Sequence, residues 1–278
     1  MGTSRFGACH SRLNEYQLLH CGNIEADEGW LIGGAGAGTA THPAGHKTRR
    51  KGVIISVLIE HPSEGLILFE TGAGRDYPKK WGTAIHELFT QVDYTDEHEL
   101  PSQIKKAGYD IRDVKMVIMG HLHLDHAGGL ENFKGTEVPI LVHSEELKYA
   151  WLSITTKTDH INYRLEDLDP KLNWQAVYQE YLEIVPGIIL HHCPGHTPGL
   201  MIMQVNLRDS GTWIFTTDHY HVVENYTSGV SHGWLARNHQ AWIVSHEKVK
   251  NLQKLTNARL VFGHCTETFN LYGFGPHT

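Results

Sequence analysis

Cysteine is scarce in this sequence. There are four in 278 residues, Cys9, Cys21, Cys193 and Cys265, and no two of them form a C-x-x-C pair. Thiols scattered in this way argue against a disulfide framework and against a cysteine-ligated zinc site. We interpret them as ordinary thiols, and Cys193 and Cys265 as small buried packing residues.

Long apolar runs and a basic excess are also missing. No segment approaches the length of a membrane span, and charged residues such as Arg5 and Arg12 interrupt the first twenty residues, where a signal peptide would have its apolar core. We therefore expect a cytoplasmic protein with no membrane partner.

The formal net charge of -7 provides no basic face for a phosphate backbone, so we expect no nucleic-acid partner. The oligomeric state stays open between a monomer and a homodimer.

Histidine, by contrast, is abundant, with 22 residues, and one segment concentrates it. His121, His123, Asp125 and His126 follow the apolar run 114–119, which predicts a short buried strand. Two histidines separated by one residue in extended chain can point to the same side and bind one ion. Asp125 and His126 come where Ala-Gly-Gly lets the backbone turn tightly, so they are placed to bind a second ion. The spacing predicts a site for two metal ions.

This segment resembles the H-x-H-x-D-H motif of the metallo-β-lactamase superfamily, and the flanking Ala127-Gly128-Gly129 is similar to its N-acyl-homoserine lactonase branch. Three more segments resemble the family's later motifs and follow in its order: 193–199 with His196, 215–218 with Asp218, and 262–264 with His264. The resemblance covers most of the chain, from about Glu60 to Cys265.

The resemblance implies a set of metal ligands. His121, His123 and His196 would bind the first ion, Asp125, His126 and His264 the second, and Asp218 would bridge the two. Nitrogen and oxygen ligands suit zinc, although other divalent ions are accepted, and we expect two Zn²⁺ per chain. Two such ions about 3.5–4 Å apart lower the pKa of a shared water enough to yield hydroxide near neutral pH.

The expected function is that of a lactonase: a metal-dependent hydrolase that opens a small lactone, best an N-acyl-homoserine lactone, by attack of the bridging hydroxide. Asp125 is predicted to carry the proton as well as bind metal. Many lactonases of this branch have Tyr three residues after the bridging Asp; here His221 stands there, and its N–H can hydrogen-bond the lactone carbonyl. Leu124, Trp30 and Trp151 are candidates for the acyl-chain wall.

Other functions of this superfamily remain as alternatives. A glyoxalase II-like thioesterase and a hydrolase of a vitamin-derived or toxin lactone stay open, whereas a metal-stabilised binding protein is disfavoured because the ligand set is complete. A cysteine-ligated β-lactamase would need Cys at Asp218, and flavodiiron proteins usually carry an acid at His123. The family's usual Asp-Thr-Gly is Glu70-Thr71-Gly72 here, so Glu70 is predicted to orient a metal-binding His only if its longer side chain still reaches.

The predicted fold is α/β, an αββα four-layer sandwich in which two mixed β-sheets are flanked by helices. We expect one domain over residues 1–278. Its N-terminal part has few periodic apolar residues from about 22 to 52, which predicts a long loop, and the basic run 47–51 is interpreted as solvated within it. Residues 155–178 are predicted to be an excursion over the mouth of the site.

Overall fold

The larger of two β-sheets contains the first seven strands of the chain. The computed structural model describes residues 15–278. In chain order these strands are β1 (Glu15–Asp27), β2 (Arg49–His61), β3 (Gly65–Phe69), β4 (Phe89–Gln91), β5 (Val114–Ile118), β6 (Pro139–His143) and β7 (Asn173–Val177). Their order across the sheet is β4-β1-β2-β3-β5-β6-β7. The pairs β3/β5, β5/β6 and β6/β7 are parallel and the others antiparallel, so the sheet is mixed.

The smaller sheet is built from the later part of the chain. Its strands are β8 (Tyr181–Val185), β9 (Ile188–His192), β10 (Met201–Asn206), β11 (Thr212–Phe215) and β12 (Arg259–Val261). They lie in the order β12-β11-β10-β9-β8, and β11/β12 is the parallel pair in an otherwise antiparallel arrangement.

Helices alternate with the strands along the chain. They are α1 (Glu28–Leu31), α2 (Tyr77–Lys80), α3 (Gly82–Leu88), α4 (Leu100–Lys106), α5 (Leu124–Ala127), α6 (Ser144–Thr156), α7 (Val223–Ser228), α8 (His239–Thr256) and α9 (Thr266–Tyr272). Pro101 in the first turn of α4 fits a position where no backbone N–H is needed. Asn238 begins α8 by accepting a hydrogen bond from the Ala241 N–H at 3.0 Å.

The alternating direction of side chains along the strands produces the layers of the fold. Successive side chains of a strand point to opposite faces. Val57 and Ile59 of β2 therefore pack between the sheets, whereas Leu58 packs with Ile104 of α4 on the outside. The outer face of the smaller sheet is covered in the same way by Trp242 and other residues of α8. The predicted αββα sandwich of two mixed sheets is confirmed.

The predicted N-terminal loop is shorter than expected. β1 continues to Asp27, α1 follows, and β2 already begins at Arg49, which leaves an irregular segment of 32–48. The strands continue because Asp27 pairs with Arg49 across the ladder and the Arg49 Nε donates to Glu25 Oε1 at 2.9 Å. The charged residues that interrupt the apolar pattern thus find partners on the neighbouring strand, and both strands continue. The interpretation of 49–51 as loop is wrong.

The predicted excursion at 155–178 is also shorter. α6 extends to Thr156, and Asn173–Val177 forms β7, paired in parallel with β6. The connecting segment 157–172 turns inward, where the Asn162 carbonyl accepts from the Leu124 N–H at 3.0 Å. It therefore touches the histidine-rich segment directly. Across residues 15–278 the helices are too short or too polar for any of them to cross a membrane.

Candidate metal centre

Strand ends from both sheets deliver the predicted metal ligands to one place. His121 and His123 follow β5 of the larger sheet, and the short helix α5 carries Asp125 and His126. The turn between β9 and β10 carries His196, whereas Asp218 follows β11 and His264 follows β12. Six of the seven side chains are buried and Asp125 is partly exposed. Residues 143 positions apart in sequence, from His121 to His264, thus lie side by side.

The first cluster consists of His121, His123, His196 and Asp218, whose ligand atoms lie within 4.8 Å of one another. His196 Nε2 lies 3.0 Å from His123 Nδ1 and 3.4 Å from Asp218 Oδ2. His121 Nε2 lies 3.7 Å from the same carboxylate oxygen. These separations suit ligand atoms that converge on one ion with bonds of about 2.0–2.2 Å.

The second cluster lies on the other side of the same carboxylate. Asp125, His126 and His264 place their ligand atoms within 4.8 Å of one another. Asp218 Oδ1 lies 3.3 Å from His126 Nε2 and 3.1 Å from His264 Nε2. Oδ1 of Asp218 therefore faces the second cluster, while Oδ2 faces the first and also lies 3.3 Å from His264 Nε2.

The charge states of the first cluster and of Asp218 suit cation binding, whereas in the second cluster burial is outweighed by the Asp218 carboxylate, which raises the pKa of His126 and His264. Burial and neighbouring imidazoles hold the pKa of His121 and His196 well below the usual histidine range, and burial with the Arg237 charge lowers the pKa of His123 to about 3. These imidazoles are neutral near pH 7, the form that binds metal. Burial opposes ionisation of Asp218, but the facing His264, His126 and His221 lower its pKa well below the usual range, so it is a carboxylate.

Several ligand atoms in this centre have no hydrogen-bond partner among the described residues. They include His121 Nε2, both ring nitrogens of His126, and Asp218 Oδ1. Each buried polar atom left unpaired costs about 1–3 kcal/mol. Nitrogen and carboxylate donors gathered without partners around one point fit divalent ions, so the residues present suit a metal cofactor.

A pocket opens above the two clusters. Its floor is polar and its walls are apolar. The walls come from β1, α1, the α2–α3 junction, β4, α5 and the loop before α8. The apolar wall consists of Ile24, Leu31, Trp81, Phe89, Leu124 and Leu235, and the polar lining of His123, Asp125, Asn162, His196, Asp218, His221 and His264. Such a pocket suits a molecule with one polar reacting end and an apolar remainder.

Comparison with known proteins places this centre in a family. A family model described as the metallo-beta-lactamase superfamily matches residues 50–264, which include all seven clustered residues. The chain belongs to the metallo-beta-lactamase superfamily.

Similar proteins of this superfamily include lactonases. An N-acyl homoserine lactonase of Bacillus sp is 31% identical over 173 residues, which are 62% of this chain and 64% of that protein. The chain thus matches less than two thirds of the length of this relative. The N-acyl homoserine lactonase AiiB of Agrobacterium fabrum is 24% identical over 273 residues, covering 92% of this chain and 95% of that one.

The fold comparison agrees. A solved N-acyl homoserine lactone hydrolase, with N-hexanoyl-L-homoserine bound at its catalytic metal centre, superposes with a TM-score of 0.81 at 24% identity. The match covers 96% of this chain and 99% of the solved one. The likeness in fold therefore extends over nearly all of this chain.

Glu70 reaches the metal centre, although its side chain is one methylene longer than the Asp usual at this position. Its Oε1 accepts from the Gly120 N–H at 3.1 Å and from Thr217 Oγ1 at 2.9 Å, while Oε2 lies 3.5 Å from His126 Nδ1. The residue has φ of 62°, in the region that costs non-glycine residues energy. A Cβ at Gly120 would lie 2.4 Å from Glu70 Oε1, so glycine is needed there. The left-handed backbone and Gly120 together make room for the longer acid.

Glu146 is a site residue that the sequence did not reveal. It is fully buried at the start of α6, and Oε1 accepts from the Leu122 N–H at 2.9 Å and the Tyr163 hydroxyl at 3.1 Å. Oε2 accepts from the Gly199 N–H at 3.3 Å. One carboxylate therefore fixes both the segment of His121 and the turn of His196. An acid in the first turn of a helix is so common that its sequence gave no signal of this contact.

Two of the four residues predicted to meet the substrate line the pocket. His221 and Leu124 line the pocket, but Trp30 and Trp151 do not. Trp30 packs edge-on against Phe89, with ring centroids 5.4 Å apart, behind the wall, and Trp151 lines a separate surface groove on α6. His232, which no motif marked, lies beside His221 with ring centroids 4.2 Å apart.

Proposed function

We propose that this chain is a metal-dependent hydrolase that opens the ring of an N-acyl-homoserine lactone. The observation that carries the proposal is Asp218, whose two oxygens face two histidine clusters at 3.1–3.7 Å on the floor of an apolar-walled pocket. The names of the similar lactonases support the substrate class. The activity and its substrate are inferences from this site and these likenesses.

The proposed metal ligands divide as the two clusters do. His121, His123 and His196 would hold one ion and Asp125, His126 and His264 the other, with Asp218 between them. Nitrogen and oxygen donors of this kind favour zinc, and we propose two Zn²⁺ per chain. When bound, such a pair supplies Lewis acidity and makes a shared water acidic enough to serve as a nucleophile near neutral pH.

The pocket orients the substrate. The lactone carbonyl would lie toward the floor, where the His221 ring lines the pocket and can donate an N–H to the carbonyl oxygen. The acyl chain would lie against Phe89, Trp81 and Ile24, because burial of apolar groups is favourable by about 25 cal/mol per Å². The same wall keeps bulk water from the opposite face of the ring.

Asp125 is proposed to carry the proton. It lines the pocket and is less buried than the other clustered residues, and its Oδ2 lies 3.4 Å from His264 Nε2 and 3.7 Å from His126 Nε2. Asp218 would lie between the two ions, and a carboxylate shared by two cations is the weaker base. Asp125→Asn keeps an oxygen ligand and removes the proton carrier. We expect kcat to fall by about 100-fold with little change in KM, the size of a general acid–base contribution.

The test requires metal analysis of the same preparations. A variant that contains both ions and opens the lactone at the wild-type rate would show that Asp125 only binds metal. Asp93→Asn is a matched control, since Asp93 is exposed and pairs on the surface with Lys51 at 3.4 Å.

The substrate class is tested by turnover across four ester types. The metal-loaded chain is assayed on N-acyl-homoserine lactones, aryl lactones, S-acyl-glutathione and a phosphodiester, each with and without chelator. We expect the acyl lactones to have the highest kcat/KM and chelation to abolish it. Preference for S-acyl-glutathione would instead identify a thioesterase.

A further inference from the structure

A third histidine cluster lies beside the proposed two-metal centre. His196, His221 and His232 place ligand atoms within 4.8 Å of one another. All three are at most 1% exposed. The His232 ring centroid lies 4.2 Å from that of His221 and 4.9 Å from that of His196. His232 itself does not line the pocket, so the cluster extends from the pocket wall into the protein.

The ring nitrogens of this cluster are largely without partners. Both nitrogens of His232, both of His221 and Nδ1 of His196 make no hydrogen bond within residues 15–278. His221 Nε2 lies 3.2 Å from Asp218 Oδ2 without the alignment of a hydrogen bond. A neutral imidazole has one donor and one acceptor nitrogen, and burying either unpaired costs about 1–3 kcal/mol. Five such atoms together indicate a ligand that imidazole nitrogen binds.

The loop of His232 is fixed in place from several sides. The Ser231 carbonyl accepts from the Gly33 N–H at 2.8 Å, and Ser231 Oγ lies 3.0 Å from His239 Nδ1. The preceding Val230 carbonyl accepts from Asn225 Nδ2 at 3.0 Å. His232 is therefore held against His221 by contacts of its loop to three other segments, and the cluster is built before any ligand arrives.

We propose that His221 and His232, with His196, bind a further divalent transition-metal ion next to the two-metal centre. Imidazole ligands suit Zn²⁺, Co²⁺, Ni²⁺ and Cu²⁺. His196 Nε2 faces the first cluster, so its Nδ1, which has no partner, remains for the added ion. Binding there would release the Nδ1 proton to solvent, and the ring would then join two ions as an imidazolate. The inference concerns metal binding and does not depend on which substrate the chain hydrolyses.

Occupation of this site has a consequence for the pocket. His221 lines the pocket, and an ion bound to its pocket-side nitrogen would take the place of the N–H proposed to face the substrate. Excess zinc should therefore inhibit the wild-type chain, and a chain without the third site should be resistant.

The experiment compares metal binding in four chains. Wild type, His232→Phe, His232→Gln and His219→Phe are dialysed against rising concentrations of free zinc, and bound zinc is counted per chain. Phe keeps the ring volume and removes both nitrogens, and Gln provides a second variant if Phe does not fold. His219 is the matched control, since it is buried with both ring nitrogens unpartnered but belongs to none of the metal-binding groups found in the described part of the chain.

We expect wild type and His219→Phe to bind one ion more than either His232 variant at high zinc. Crystals of the zinc-saturated wild type should show an anomalous peak bonded to the rings of His221 and His232. Equal zinc content in wild type and both folded His232 variants, or the absence of that peak at saturation, would overturn the proposal. Loss of lactone turnover alone would bear on the proposed function and leave this result unchanged.

Discussion

Glu146→Gln tests whether one buried carboxylate holds the metal centre together. In wild type, Oε1 accepts from the Leu122 N–H and the Tyr163 hydroxyl, and Oε2 accepts from the Gly199 N–H. A glutamine keeps one carbonyl oxygen, so its NH₂ must face a donor on one side. If the oxygen stays toward Leu122, the Gly199 N–H loses its partner.

The magnitude follows from that lost contact. A hydrogen bond to a charged group contributes about 1.5–3 kcal/mol, and leaving the buried donor unpaired adds to the cost. We expect the free energy of unfolding to fall by about 3 kcal/mol. Because the carboxylate orients the segments of both His121 and His196, we also expect metal affinity to fall by about 10- to 100-fold.

Denaturant unfolding and a competitive chelator titration measure the two effects. Glu145→Gln is the matched control: its side chain is exposed and pairs on the surface with Lys148 at 2.7 Å, so the change should stay within about 0.5 kcal/mol. If Glu146→Gln unfolds and binds metal as Glu145→Gln does, the carboxylate does not organise the centre and the reasoning is wrong.

Two further predictions concern the second metal and the pH dependence of stability. His264→Ala should leave one tightly bound zinc in the desalted chain, because His121, His123 and His196 remain; elemental analysis that still finds two would refute the assignment of His264. Burial raises the pKa of Asp167 to about 6, above its unfolded value of about 3.9, so the folded state binds the extra proton and this group destabilises the fold increasingly as pH rises through 6. Asp167→Asn should therefore be more stable than wild type at pH 8, by about 3 kcal/mol at most, and this difference should shrink toward pH 4. Denaturant unfolding at both pH values measures the difference. An equal difference at both would show that ionisation of Asp167 is not its cause.

The apolar runs of the sequence predicted the strands of the two sheets, and the four segments that resemble the superfamily's motifs predicted which seven residues lie together. Each of the seven lies just after a strand, in a turn or in the short helix α5, where its neighbours in sequence determine its position. The strand ends Asp27 and Arg49 were missed because charged pairs, and not apolar alternation, continue that ladder.

Residues that reach the site through long-range packing could not be predicted. Glu146 looked like an ordinary first-turn acid, and His232 lies in a loop without a motif. Once the sheets have packed, Glu146 accepts from Gly199 in the turn of His196, and the His232 ring lies against that of His196. Trp30 and Trp151 were wrong for a related reason. An apolar side chain near a loop carries no information about which of several surfaces it will cover, and the pocket wall came instead from Phe89 and Trp81.

The division of the clustered residues between the sheets bears on how the folded chain holds together. His121 and His123 extend from the larger sheet, while Asp218 and His264 extend from the smaller one. Each proposed ion would therefore tie together, as a cross-link does, two halves of the sandwich that are also joined by apolar contact and by a few hydrogen bonds such as that from Thr217 to Glu70. Metal supply then becomes a term in the folding equilibrium, since every tenfold excess of a ligand over its Kd adds about 1.4 kcal/mol to stability. Without metal, the two sheets would separate more readily and the protein would be cleaved faster by proteases. Its lifetime in a cell would then depend on metal availability.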